Sequence, residues 1–128
     1  MISADTSVMI AYFQGLKGKD ISMVEEALSN KNLIFTPMVV AELLSDPKLS
    51  TQSIKSIISF PMMEISYGYW HRVGFTRAKI LSKKLKAKLV DTQIAQLCIE
   101  NNVSLITRDK DFRHFEKYCG LKLIISPK

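Results

Sequence analysis

Short apolar runs alternate along the chain with longer stretches in which apolar positions recur every three or four residues. Residues 1–5 read as a short buried strand that ends on an acid, and residues 6–15 follow with helical spacing until Gly15 and Gly18 stop them. Asp20-Ile21-Ser22 starts a second helix that runs to about Asn30. Asn32 to Thr36 reads as a strand, and Pro37 is well placed as the first residue of a third helix, which stops by Asp46-Pro47. Ser50 to Ser59 gives a fourth helix, Met62 to Ile65 a strand, and residues 67–86 the longest helix. Asp91 to Asn101 is another helix, Val103 to Thr107 a strand, Lys110 to Lys117 a short helix, and Leu121 to Ile125, after Gly120, a last strand. Such alternation predicts an α/β fold of three layers, α/β/α, around a parallel sheet covered on both faces. Ligands of such sheets bind at the carboxyl ends of the strands.

Size and composition narrow the picture. A chain of 128 residues with 47% hydrophobic content is expected to be a single domain over residues 1–128, with enough apolar surface for a core. No apolar run reaches about 18 residues, so no membrane span is expected. An acid at position five breaks any secretory signal, and two cysteines without ligand spacing, Cys98 and Cys119, fit free thiols in a reducing cytoplasm. Two histidines, His71 and His114, have no paired spacing and argue against structural zinc. The net charge of +6 fits a polyanionic partner, although it also serves solubility.

Against that basic background, four acids stand where a polar residue is expensive. Asp5 ends the first strand, Glu42 interrupts the apolar run Met38 to Leu44, Asp91 opens a helix, and Asp109 follows the strand Val103 to Thr107. Asp5 and Asp109 fall at strand ends, and Glu42 and Asp91 are expected in first turns of helices that open onto the same rim. Asp91 shares a helix face with Ile94, Ala95 and Cys98, so it should point at the core. Acids gathered there would repel one another unless a hard divalent cation held them. Each acid has a plainer use: a helix cap for Asp5 or Asp91, a solvated position or salt bridge for Glu42, a loop site for Asp109 and Asp111. Thr6, Ser7 and Thr107 lie beside the acids, placed either to orient a carboxylate and hold water or simply to cap helices and solvate a strand end.

Residues 67–86 carry much of the positive charge. Arg72, Lys79, Lys83 and Lys86 form one stripe, extended by Arg77, Lys84 and Lys88, and Trp70, Gly74, Ala78, Leu81 and Leu85 form the opposite one. The basic stripe fits either a phosphate backbone or a solvated helix face. Tyr67, Tyr69 and Trp70 fit either stacking on unpaired bases or a core or interface.

Together these segments resemble the PIN-domain family. Met1 to Ile10 resembles its opening strand and helix, Pro37 to Leu43 its second acidic motif, Asp91 to Ala95 its third, and Leu105 to Phe112 its fourth. The Asp5-Thr6-Ser7 opening and the compact length look most like VapC-type toxins. The resemblance implies a central parallel sheet of four to five strands and a metal-dependent endoribonuclease. Mg2+ or Mn2+ would be held by Asp5, Glu42, Asp91 and Asp109, with either Asp109 or Asp111 completing the set. It further implies a homodimer and a small antitoxin that inserts a basic side chain into the acidic cleft. Arg72, Lys79, Lys83, Lys86 and Arg108 are then the candidates for holding RNA. Two rivals stay open. A phosphatase that starts with an Asp after strand one needs a second Asp two residues on, and position 7 is Ser. A PIN-like module that binds RNA or protein without cleaving it needs no metal.

Overall fold

The computed structural model describes residues 1–125; residues 126–128, the end of the expected domain, lie outside the described residues. In chain order the elements are β1 (Ile2–Ala4), α1 (Thr6–Phe13), α2 (Lys19–Ser29), α3 (Pro37–Leu44), α4 (Thr51–Ser59), α5 (Tyr69–Ser82), α6 (Leu89–Glu100), β2 (Ser104–Thr107), a 3-10 turn (Lys110–Phe112), α7 (Arg113–Cys119) and β3 (Leu123–Ile125). Local chemistry sets several of these ends. Thr36 Oγ1 accepts from Val39 N at 3.3 Å with Pro37 following in the first helical position, and Ser50 Oγ accepts from Ser53 N at 3.0 Å. Gly120, at φ 82°, supplies the left-handed residue that ends α7.

The sheet is parallel, in the order β1-β2-β3, with Ile2 opposite Ser104 and Ile106 opposite Ile124. It has three strands among the described residues, where four to five were expected. The two other extended segments sit in the expected places, but each touches its neighbour only once: Leu33 bridges Ile2, and Phe35 bridges Met62. The physical reason is a change of partner. Residues 32–36 hydrogen-bond to β1 around Ile2 and then, two residues on, to Pro61 and Met63, so neither ladder gains a second consecutive pairing.

Neighbouring residues of a strand point to opposite faces, and in β2 Leu105, Ile106 and Thr107 are all fully buried. Both faces of the sheet are therefore covered, as a parallel sheet requires. Helices α1 and α6 both pack on β2. The core is filled by Phe35, Tyr69, Ile94, Leu97, Phe112 and Phe115, each contributing about 1.5–3 kcal/mol by leaving water. Covering the sheet in this way leaves open its carboxyl end, where β1 and β2 turn into α1 and the 3-10 turn.

Candidate functional site

Asp5 sits where β1 passes into α1, and its N–H donates to the Ile106 carbonyl of β2 at 3.1 Å. Oδ1 accepts from Ser7 Oγ at 2.6 Å and from Val8 N at 3.2 Å, and Oδ2 accepts from Thr107 Oγ1 at 2.5 Å. Asp5 is thus the N-cap of α1 and also a buried carboxylate, 4% exposed, at the end of the sheet. Burial pushes its pKa up and is the largest influence; the bonds from Ser7, Thr107 and Val8 pull against it, and the charge of Asp109 adds to the rise. A phosphatase acid at position 7 has no counterpart here, because the Ser7 hydroxyl donates to Asp5 itself.

Asp91 is the third residue of α6, two places inside the helix start, and the capping position belongs to Lys88. The capping use is therefore gone, while Ile94, Ala95 and Cys98 on its face are buried as the wheel predicts. Desolvation raises the Asp91 carboxyl to about 6, with Asp109, Asp5 and Asp111 adding to the rise and Lys88 opposing it. Asp109 caps the 3-10 turn: its Oδ1 accepts from Asp111 N at 2.9 Å, and its own N–H donates to Thr107 Oγ1 at 3.0 Å. One carboxylate oxygen from each of Asp91, Asp109 and Asp111 lies within 4.8 Å of the other two. Lys86 Nζ stands 3.3 Å from Asp111 Oδ2 on the outer side. The donors are all carboxylate oxygens, without thiolate or imidazole, which suits Mg2+ or Mn2+ and not a structural zinc.

Glu42 departs from expectation. It lies in the second turn of α3, not the first: the helix starts at Pro37 as expected, and Glu42 is five residues further on. Its exposed carboxylate accepts from Thr6 Oγ1 at 2.7 Å. It also lines a cavity of about 290 Å3 with Ile10, Phe13, Leu43 and Leu49. The structure therefore gathers Asp91, Asp109 and Asp111, sets Asp5 within electrostatic reach of them, and ties Glu42 to Thr6, the residue after Asp5.

The basic candidates have partners inside the protein. Arg72 makes a two-pronged pair with Glu100, at 2.6 and 2.9 Å, and also donates to Tyr67 and Ser66, so it braces α5 against α6. Arg108 pairs with Asp20 at 2.5 and 3.2 Å. Lys79 Nζ donates to the Tyr118 carbonyl at 2.7 Å, and Lys83 sits over the Tyr118 ring. Of the three aromatics at the start of α5, Tyr69 is core, its hydroxyl donating to the Gln93 carbonyl, whereas Tyr67 and Trp70 are exposed. The buried face of α5 is Tyr69, Val73 and Ile80; the stripe Trp70, Gly74, Ala78 and Leu81 faces outward with Phe75. Asp20 was not among the expected site residues. It reads as an ordinary helix-start acid, and the only local signal is the glycine two residues before it.

The PIN domain model matches residues 2–118 of the chain. Among curated proteins, none matches significantly. Among solved structures, the fold is shared with VapBC2 from Rickettsia felis bound to a DNA fragment from its promoter. That match is 23% identical, with a TM-score of 0.75 over 99% of this chain and 100% of the other. VapBC-5 from Mycobacterium tuberculosis, of the VapBC family of toxin–antitoxin systems, matches at 19% identity and a TM-score of 0.72, over 97% of each chain. VapBC-1 from nontypeable Haemophilus influenzae matches at 18% identity and a TM-score of 0.71, over 98% of each chain.

Proposed function

This chain belongs to the PIN-domain family, and on that footing we propose that residues 1–128 act as one domain, a metal-dependent endoribonuclease and the toxin of a VapBC-type toxin–antitoxin pair. The observation that carries the reading is the convergence of Asp91, Asp109 and Asp111 beside the buried Asp5. A bound Mg2+ or Mn2+ supplies Lewis acidity, lowering the pKa of water and offsetting charge that develops around phosphorus. The chain's own residues do the rest. Asp91, Asp109 and Asp111 are the proposed ligands, and Asp109 and Asp111 serve together, not as alternatives. Asp5 has about four acceptor positions on its carboxylate, and three are filled, which leaves one for the cation or its water. Ser7 and Thr107 hold it in that pose. Glu42, held by Thr6, takes the outer edge of the cleft.

RNA is the proposed substrate. In this reading Lys86, which pairs with Asp111, exchanges that acid for an entering phosphate, and Lys79 in α5 and Lys83 at its C-terminal end, both against Tyr118, supply further phosphate contacts. Arg72 and Arg108, held by Glu100 and Asp20, are left out of that surface. The toxin–antitoxin complexes among the fold's relatives support an antitoxin as partner. The proposed seat is the apolar groove beside Glu42, with Ile10, Phe13 and Leu49 receiving an apolar helix face and the acids receiving a basic side chain. A second copy of the chain is the proposed cover for the exposed face of α5. The pair would act in the cytoplasm, where its RNA is; no described helix is long and apolar enough to cross a membrane.

Calorimetric titration with Mn2+ separates a nuclease from an inert binding module. The nuclease reading expects saturable binding that disappears in an Asp91→Asn, Asp109→Asn double variant. An equal heat in both proteins, or none in either, would sink it.

A further inference from the structure

Outside the acidic cluster, the most deeply buried charge in the described chain is Asp20, in the first turn of α2, with its side chain 1% exposed. It is 88 positions from its partner Arg108, which stands directly between Thr107 and Asp109. Arg108 Nε and Nη2 donate to the two Asp20 oxygens at 2.5 and 3.2 Å, and Ile21 N donates to Oδ1 at 2.9 Å. A fork-shaped pair of this kind fixes direction as well as distance. The site for it is built: Gly18 has φ +153°, and a Cβ there would come within 2.7 Å of Asp20 Oδ1.

From the same turn a chain of bonds leads to the acids. Arg108 N donates to Ser7 Oγ at 3.3 Å, and Ser7 donates in turn to Asp5. Thr107 Oγ1 donates to Asp5 and accepts from Asp109 N, and Asp109 accepts from Asp111 N. Two of the clustered acids thus ride on a short turn outside any helix or strand ladder longer than three residues. An unpaired guanidinium beside Asp109 would also have three carboxylates within its neighbourhood to choose from.

We propose that the Asp20–Arg108 pair is a positioning clamp. It anchors the turn after β2 to α2, which holds Asp109 and Asp111 toward Asp91 and turns the guanidinium away from the acids. The clamp deepens the metal-site reading above and rests on it for its effect on the cation, but not for its effect on the turn.

The test uses the full chain with Asp20→Asn and Arg108→Lys, and with Glu100→Gln as a control. Glu100→Gln breaks a comparable pair at the far end of α6, about 13 Å along the helix from Asp91. Two readouts are taken: amide exchange at Asp109 and Asp111 without metal, and Mn2+ affinity by calorimetry. In both clamp variants exchange at these two amides should rise by about tenfold or more, and Mn2+ affinity should fall roughly 10- to 100-fold. Glu100→Gln should move neither. If the wild type binds no Mn2+, the metal reading fails, and exchange alone still decides the clamp. Unchanged exchange at Asp109 and Asp111 in both variants overturns it. So does full recovery of Mn2+ affinity in an Asp20→Asn, Arg108→Gln double variant, because that result makes a competing guanidinium the whole effect. If Asp20→Asn fails to fold, Arg108→Lys carries the same test.

Discussion

Replacing Asp91 with Asn should stabilise the metal-free protein and deprive it of its cation. In the folded chain the Asp91 carboxyl titrates at about 6 against an ordinary 3.8, because burial and then the charge of Asp109 disfavour ionisation. At 1.36 kcal/mol per pH unit this difference corresponds to about 3 kcal/mol, an upper bound that water near the half-buried site reduces to about 1–3 kcal/mol. The sign follows from linkage. A carboxyl whose folded pKa lies above its unfolded one favours folding below the unfolded value, and that contribution is lost as pH rises through the folded value. The wild type therefore loses stability relative to Asp91→Asn between about pH 4 and 6, and the full gap is present at pH 8. For a domain of this size the gap amounts to roughly 3–10 °C in Tm. Thermal unfolding by circular dichroism in EDTA, from pH 4.5 to 8, measures it. Saturating Mn2+ should then raise the wild-type Tm and leave the variant unmoved. A variant no more stable than wild type at pH 8, or a gap that does not shrink toward pH 4.5, would refute the picture of Asp91 as a strained, desolvated ligand.

Other outcomes follow from the same geometry. Thr107→Val removes a buried donor to the Asp5 carboxylate and should cost about 1.5–3 kcal/mol in urea unfolding at pH 7; a change below about 0.5 kcal/mol would show that the bond is dispensable. The proposed pairing of two copies through α5 predicts a wild-type dimer in sedimentation that Trp70→Ser with Phe75→Ser turns into a monomer, since these side chains are 56% and 75% exposed; a monomeric wild type, or a dimer unchanged in the variant, would refute that face. Leu49→Lys, in the groove beside Glu42, should abolish copurification of the proposed antitoxin coexpressed with the chain while leaving Mn2+ binding intact, and retained copurification would refute this groove as its seat.

Much of this molecule is legible in its sequence because local chemistry and tertiary demand agree. Pro37 after Thr36 specifies the start of α3, and the spacing of Asp91 with Ile94, Ala95 and Cys98 specifies a core-facing acid. Asp5 shows that two readings of a residue need not exclude each other: capping α1 is what fixes its carboxylate at the end of β1. What stayed hidden depends on partners distant in the chain. Residues 32–36 have strand composition, yet a change of hydrogen-bond partner between Ile2 and Met62 leaves them only single bridges. The outward face of α5 is apolar enough to read as core; Tyr69 takes the core position because its hydroxyl finds the Gln93 carbonyl. Arg72 and Arg108 read as free surface cations, and nothing local to them reveals Glu100 or Asp20. Glu42 was expected in a first turn although the same reading starts α3 at Pro37; counted from that start it falls in the second turn.

The most direct test of the central claim is cleavage of a mixed RNA pool by the purified protein, with Mn2+ and with EDTA, beside Asp5→Asn. The account predicts fragments with Mn2+ only and none from Asp5→Asn, whose melting curve should remain that of a folded protein. Cleavage that persists in EDTA, or that survives in Asp5→Asn, would contradict it.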